Sequence, residues 1–262
     1  MKKPAILATL MLLAPPMMAA DEPCNPDTGG TFHSCLTHIL QRIGQLEKEN
    51  QAQQAEIQAL KMRLSLTDGL VAYYPFNGDA NDASGNGHHG TVKGATLTAD
   101  RFGNPESAYQ FDGNDSHIQS TISINLAQGI TYSVWVFVQK RENKHANLIS
   151  ISHRSFSFFQ TDGEFELCLG GCLGHHSVDN VQDNQWQHFV VTIDNKIVKI
   201  FVNSEMVKEL EVSSSLQDIK GGSLYFGGEK GKDYNLTGIM DELRIYNRAL
   251  TPKEIQSLYK QP

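Results

Sequence analysis

Three residue types are scarce in this sequence. Of 262 residues, four are cysteine, nine are proline and two are tryptophan. Four cysteines are too few for disulfides to replace a hydrophobic core. Basic residues are in deficit as well: 22 Lys and Arg stand against 29 Asp and Glu, and no Lys/Arg run occurs. A formal charge of −7 in this pattern excludes a broad nucleic-acid surface. After the first twenty residues no apolar run is long enough to span a bilayer. The Gly-x-Ser-x-Gly, His-Glu-x-x-His and phosphate-loop signatures are all missing.

Glycine, by contrast, is abundant, with 22 residues, and there are 12 Phe and 8 Tyr. Hydrophobic residues make up 40% and charged ones 19%, the composition of a folded chain. Many short polar breaks favour a turn-rich β protein over a helix bundle. Residues 1–20 read as a signal peptide: Lys2 and Lys3 precede the short apolar run Ala5–Ala14, and Ala19-Ala20 offers a cleavage point. Removing the two lysines takes the basic count from 22 to 20 and the charge from −7 to −9. The mature chain is expected to be secreted or periplasmic, without a membrane span, in a compartment where disulfides persist.

Residues 21–35 form a short segment bracketed by Cys24 and Cys35. Over 36–66 the pattern is a heptad seam. Its a positions are Leu36, Ile43, Asn50, Ile57 and Leu64, and its d positions are Ile39, Leu46, Gln53 and Leu60. In a parallel pair Arg42 would face Glu47 and Glu56 would face Lys61, both attractive. Asn50 at an a position would fix register. Ile at a with Leu at d favours a dimer, and Gln53 keeps a trimer open. Self-association through this coiled coil is therefore expected, with a single amphipathic helix packed on the globular part as the alternative.

From Thr67 to the end, 67–262, the segments are short, β-rich and bounded by Gly, Asn or Asp. They include Tyr132–Val138, His188–Ile193, Ile197–Val202, Ser223–Phe226 and Glu242–Tyr246. The spacing is that of an antiparallel sandwich or barrel. Thr251, Pro252 and Glu254 predict an N-cap, an N1 proline and a capping box for a terminal helix.

These segments also resemble a known family. Gly69-Leu-Val-Ala-Tyr-Tyr-Pro-Phe-Asn-Gly-Asp-Ala-Asn-Asp82, Tyr109-Gln-Phe-Asp-Gly113, Tyr132-Ser-Val-Trp135, Trp186-Gln-His-Phe-Val-Val-Thr-Ile-Asp194 and Gly238-Ile-Met-Asp241-Glu-Leu-Arg-Ile-Tyr-Asn-Arg-Ala-Leu250 follow the order of a laminin-G-like domain. The resemblance implies an all-β, antiparallel jelly-roll sandwich of the concanavalin-A-like type behind the coiled-coil helix. It also implies a structural calcium ion shared by the first loop, the Phe-Asp-Gly turn and the last strand. Those parts map onto Asp79 or Asp82, onto Asp112 with the Gly113 carbonyl, and onto Asp241. An EF-hand is excluded, since His88 stands where a Glu is needed. The alternative is that these carboxylates only form Asx turns.

Cys168 and Cys172, followed by His175 and His176, could be read as a zinc set. Export would oxidise the thiols, so a Cys168–Cys172 disulfide is expected, and Cys24–Cys35 likewise, within or between chains. His88, His89, His175 and His176 are expected to be solvated loop histidines. Both tryptophans, Trp135 and Trp186, are expected in the core. The resembling catalytic sandwiches use a Glu-x-Asp-x-x-Glu run that is missing here, although Glu164 and Glu166 share a strand face. The expected protein is an exported, non-catalytic, oligomeric binding protein for a glycan or surface ligand. A structural envelope or matrix component and a degenerate glycoside hydrolase or lyase are the alternatives.

Overall fold

Residues 31–122, 129–139, 147–151, 156–161, 164–169, 181–211, 223–228 and 235–261 are described, from a computed structural model. The chain divides into two compact units, Met1–Leu60 and Lys61–Pro262.

Helix α1 runs Phe32–Ser65, and most of it lies in the first unit. It begins four residues before the heptads do, because Thr31 caps it: Thr31 Oγ1 accepts from the Ser34 N–H at 3.2 Å. At 1.5 Å per residue, 34 residues make a rod about 50 Å long. None of its residues is buried. Cys35, near its start, is disulfide-bonded. The expected partner Cys24 lies outside the described residues, as does Cys172 of the other expected pair.

The second unit is a sandwich of antiparallel strands. β1 is Leu70–Tyr74, β2 Thr91–Lys93, β3 Thr96–Thr98, β4 Ala108–Asp112, β5 His117–Ser120, β6 Ile130–Val138 and β7 Ile149–Ile151. β8 (Phe156–Thr161) and β9 (Glu164–Leu169) pair as a hairpin. β10 is Trp186–Asp194, β11 Ile197–Val202, β12 Glu205–Glu211, β13 Leu224–Phe226 and β14 Thr237–Tyr246, followed by helix α2, Pro252–Tyr259. The larger sheet has the order β12-β11-β10-β6-β14-β4-β3, with β1 beside the second half of β14. The smaller sheet has the order β2-β5-β13-β7.

Period-2 alternation decides which side chains face inward. On β6, Tyr132, Val134, Val136 and Val138 join the core. They meet Phe189, Val191 and Ile193 of β10 and Met240, Leu243 and Ile245 of β14. From the smaller sheet come Ile118, Ile149, Leu224 and Phe226. Tyr74 ties the layers together. Its hydroxyl donates to Ser120 Oγ at 2.8 Å, and its ring lies 5.2 Å from that of Phe226. Gly227, at φ 75°, ends β13 where a Cβ would come within 2.2 Å of the Phe111 ring, so only glycine fits. The β10–β11 and β11–β12 hairpins turn on Asn195-Lys196 and Asn203-Ser204, all four at positive φ. That is the conformation of a type I′ turn.

The outer face of the larger sheet is closed by a second cluster. Leu66, Val190, Phe201, Tyr246, Leu250, Ile255 and Leu258 pack together as α2 lies down. The capping box of α2 forms as expected: Thr251 Oγ1 accepts from the Glu254 N–H, and the Glu254 carboxylate accepts from the Thr251 N–H at 2.8 Å. The same carboxylate receives two donors from Arg248, which also donates to the Ser65 carbonyl at 2.6 Å. One arginine therefore locks the terminal helix to the segment that enters the sandwich.

Candidate functional site

The outer face of the smaller sheet is only partly exposed: Lys93 is exposed, Gln119 and Tyr225 are partly buried, and Ser150, which pairs with Tyr225, is buried. Three short strands there alternate strictly, with Val92, Ile118, Leu224 and Phe226 turned towards the core. Their neighbours Lys93, His117, Gln119 and Tyr225 must face outward. Register sets them side by side: Lys93 pairs with His117, and Gln119 pairs with Tyr225. The loop Asp112–Ser116 borders them, and together they line an open groove of about 590 Å³.

The groove has an ordered wall. Asp112 Oδ1 accepts from Ser116 Oγ at 2.6 Å and from the Asn114 N–H at 2.9 Å. Those bonds, the Ser116 hydroxyl above all, hold the Asp112 carboxyl below its usual range. His117, only 5% exposed, is fixed by the 2.7 Å contact of its Nδ1 with the Asp115 carbonyl. Because a carbonyl can only accept, Nδ1 is the donor of that contact. The His117 and Tyr225 rings meet edge-on with centroids 5.8 Å apart. The result is an aromatic ring beside amide, ammonium and carboxylate groups, the mixture that stacks on and hydrogen-bonds a polar ligand.

The residues expected to share a calcium ion are not brought together. Asp112 lies opposite Thr237, and Asp241 lies opposite Trp135 on the other side of the same strand. Those positions are four residue steps apart along β14, about 13 Å of strand. Asp241 is instead paired with Arg101 at 2.6 Å, both side chains almost wholly buried. Burial and the neighbouring Glu242 push its carboxyl up to about 7 against the pull of Arg101. Asp82 serves its own loop: it accepts from the backbone N–H groups of Tyr73, Ser84 and His88 and from Ser84 Oγ. Burial raises its carboxyl, but these four donors outweigh that and hold it low. Asp79 accepts from the Asn81 N–H at 2.9 Å. Gly113 takes positive φ in the Asp112 turn. Among the described residues no group of three His, Cys, Asp or Glu is placed to hold a metal ion. The donor set therefore does not fit one shared ion.

The tryptophans correct another expectation. Neither belongs to the main core, because Trp135 has the outward parity of β6, opposite to Val134 and Val136. Trp135 stacks against both His188 and Tyr259, with centroids at 5.2 and 5.4 Å, and those two rings lie 6.1 Å from each other. The Arg101 guanidinium lies 4.8 Å from its ring. Trp186 meets the edge of Phe137 at 5.9 Å on the same outer face. His89 is not merely solvated, since its Nδ1 accepts from the Asp82 N–H. His175 and His176 lie outside the described residues, and so do the side chains of Glu164, Glu166 and Cys168.

The seam residues Leu36, Ile39, Ile43, Leu46, Ile57, Leu60 and Leu64 are all between 42% and 72% exposed on α1. Asn50 and Gln53 are exposed beside them. Apart from Asp112, expected as a calcium ligand, the groove residues were missed in the sequence. Their only signal was polar–apolar alternation in Thr91-Val-Lys93, His117-Ile-Gln119 and Leu224-Tyr-Phe226, too short to stand out.

Residues 112–256 match the Laminin_G_3 model of the concanavalin A-like lectin/glucanases superfamily. The chain belongs to that family. A search of curated protein sequences finds no match. Several solved structures share the fold. One is domain 4 of AbnA, a GH43 extracellular arabinanase from Geobacillus stearothermophilus, in complex with arabinotriose. It is 21% identical with a TM-score of 0.60, over 73% of this chain and 98% of that one. The binding domain of Paraclostridial Mosquitocidal Protein 1 is 21% identical with a TM-score of 0.62, over 74% of this chain and 52% of that one. The botulinum neurotoxin serotype D ligand binding domain, in complex with N-acetylneuraminic acid, is 15% identical with a TM-score of 0.63. That match covers 76% of this chain and 52% of the other. The chain thus spans about half the length of the two toxin domains. Among the described residues no helix is long and apolar enough to cross a membrane.

Proposed function

We propose that this chain is an exported, non-catalytic glycan-binding protein, presented in two or three copies by the α1 seam. The observation that carries it is Tyr225, an aromatic ring lining a groove on the outer face of a small sheet, in register with Gln119 and edge-on to a buried, oriented His117. A sugar ring stacks on such a face while its hydroxyls bond the amide and carboxylate groups around it. The relatives in complex with arabinotriose and N-acetylneuraminic acid support the reading at the level of ligand class.

The seam supports the multivalent half. Seven exposed Leu and Ile in one unbroken heptad register are a large apolar surface to leave in water. A second copy of the same helix covers it with attractive Arg42–Glu47 and Glu56–Lys61 pairs. Linked heads convert weak single-site binding into avidity. A glycan array tests both halves. The full chain should bind, Tyr225→Ala should not, and Ile43→Glu with Ile57→Glu should yield monomers of lower avidity. Equal binding by all three would refute the reading.

A further inference from the structure

The second unit starts at Lys61, so the last turn of α1, Lys61–Ser65, belongs to the head. Leu64, the last a position of the seam, is therefore a head residue, and it is 72% exposed. Two residues on, Leu66 is only 6% exposed and packs in the cluster with α2. At about 100° per residue these two side chains leave the helix about 200° apart. Leu66 points into the head and Leu64 away from it.

The turn that follows is tied down. The N–H groups of Leu66, Thr67 and Asp68 bond the carbonyls of Met62, Leu64 and Ser65 at 3.1, 3.1 and 3.2 Å, which continues the helical winding through Asp68. Arg248 donates to the Ser65 and Asp68 carbonyls at 2.6 and 2.9 Å, and the Asn247 N–H bonds the Gly69 carbonyl at 2.8 Å. Charge is matched beside Leu64. Arg63 holds the g position before it, and Asp68 the e position that follows that g. Both are exposed. Asp68 lies 3.5 Å from Arg248 Nε, yet its side chain is 80% exposed. In a parallel pair Arg63 of each copy faces Asp68 of the other, at the same offset that matches Arg42 with Glu47 and Glu56 with Lys61.

We infer that the head unit carries the last layer of the self-association seam. A second copy of this chain seats its Leu64 against this one, Arg63 and Asp68 pair across the contact, and each head is fixed at the axis instead of hanging from a linker. The inference rests on the self-association half of the reading above and goes further. The glycan sites of the copies then stand at one set separation, which favours ligands whose repeats match it.

The test uses the full-length protein with a nitroxide on Lys253→Cys, an exposed position of α2. Pulsed dipolar spectroscopy between copies should give one narrow distance. Leu64→Ser should broaden it and weaken association at least about tenfold in sedimentation, because a buried leucine layer is lost. The melting of the head should not change. Arg63→Asp and Asp68→Arg should each weaken association roughly threefold, and the two together should restore it. Association with a broad distance, or association indifferent to Leu64→Ser and to both charge reversals, would overturn the inference and leave the self-association reading standing. A full-length chain that sediments as a monomer would overturn both.

Discussion

The two sheets of the sandwich treat their outer faces in opposite ways. Both carry aromatic and polar side chains at outward positions. On the larger sheet those residues are sealed: α2 covers Val190, Phe201 and Tyr246, and Tyr259 and Arg101 close over Trp135. On the smaller sheet Lys93 is exposed and Gln119 and Tyr225 are partly exposed, and among the described residues the Asp112–Ser116 loop borders them. Aromatic content therefore does not mark a binding face. What marks it is whether another part of the chain already occupies it. Trp135, the residue most easily taken for a sugar platform, is spent on packing, and the less conspicuous Tyr225 lines the groove.

The largest effect that would break this contrast is on the sealed side. Ile255→Ala and Leu258→Ala each empty a fully buried position under α2 and should each destabilise by about 2–5 kcal/mol. Urea unfolding measures this. A loss under about 0.5 kcal/mol, the range of neutral surface changes, would mean that α2 does not seal the sheet.

Next in size is the pH response of the same face. Burial, with Arg244 and Arg101 nearby, presses the His188 imidazole down to about 3 from 6.5. The unfolded chain then binds a proton that the folded chain refuses between those values, so His188 costs stability as pH falls below about 6.5. At pH 5 the loss is about 2 kcal/mol relative to pH 8. Asp241, raised to about 7, acts in the opposite sense: its contribution is full below about 4 and fades as pH rises through 7. Only a difference between variants separates the two. His188→Phe keeps a ring against Trp135 and Tyr259 and removes the titration. Relative to the parent it should gain about 2 kcal/mol between pH 8 and pH 5, and parallel stability profiles would refute the assignment.

On the groove side, Tyr225→Ala should change stability by less than about 1 kcal/mol, because the partly exposed ring lies outside the core cluster. The same change should remove glycan binding on an array. Strong destabilisation would show that Tyr225 belongs to the packing.

The smallest expected effect is that of metal removal. Since Asp82, Asp112 and Asp241 are engaged at separate places, a chelator should shift the melting temperature by no more than the scatter between repeats. A drop restored by added calcium would instead show an ion held by one of the Asp79–Asp82 or Asp112–Gly113 turns.

Much of this was legible in the linear chain. Heptad spacing gave the exposed stripe of α1, and the Thr251-Pro-Lys-Glu254 signal placed α2, because both depend on contacts within one helix. Strands such as β6, β10 and β11 were visible as β-branched and aromatic runs between turn residues. What local sequence determines is the element and its two faces. Which face is covered depends on pieces distant in the chain: Arg101, bonded to the Gln261 carbonyl, over Trp135, Ser65 against Arg248, and three short strands whose register lines up Lys93, His117, Gln119 and Tyr225. The separation of Asp112 from Asp241 was likewise invisible, since a motif gives residue types in order but not their register across a sheet. Only the tertiary structure decided these things, because cross-strand pairing and burial are set by the packed whole and not by any single segment.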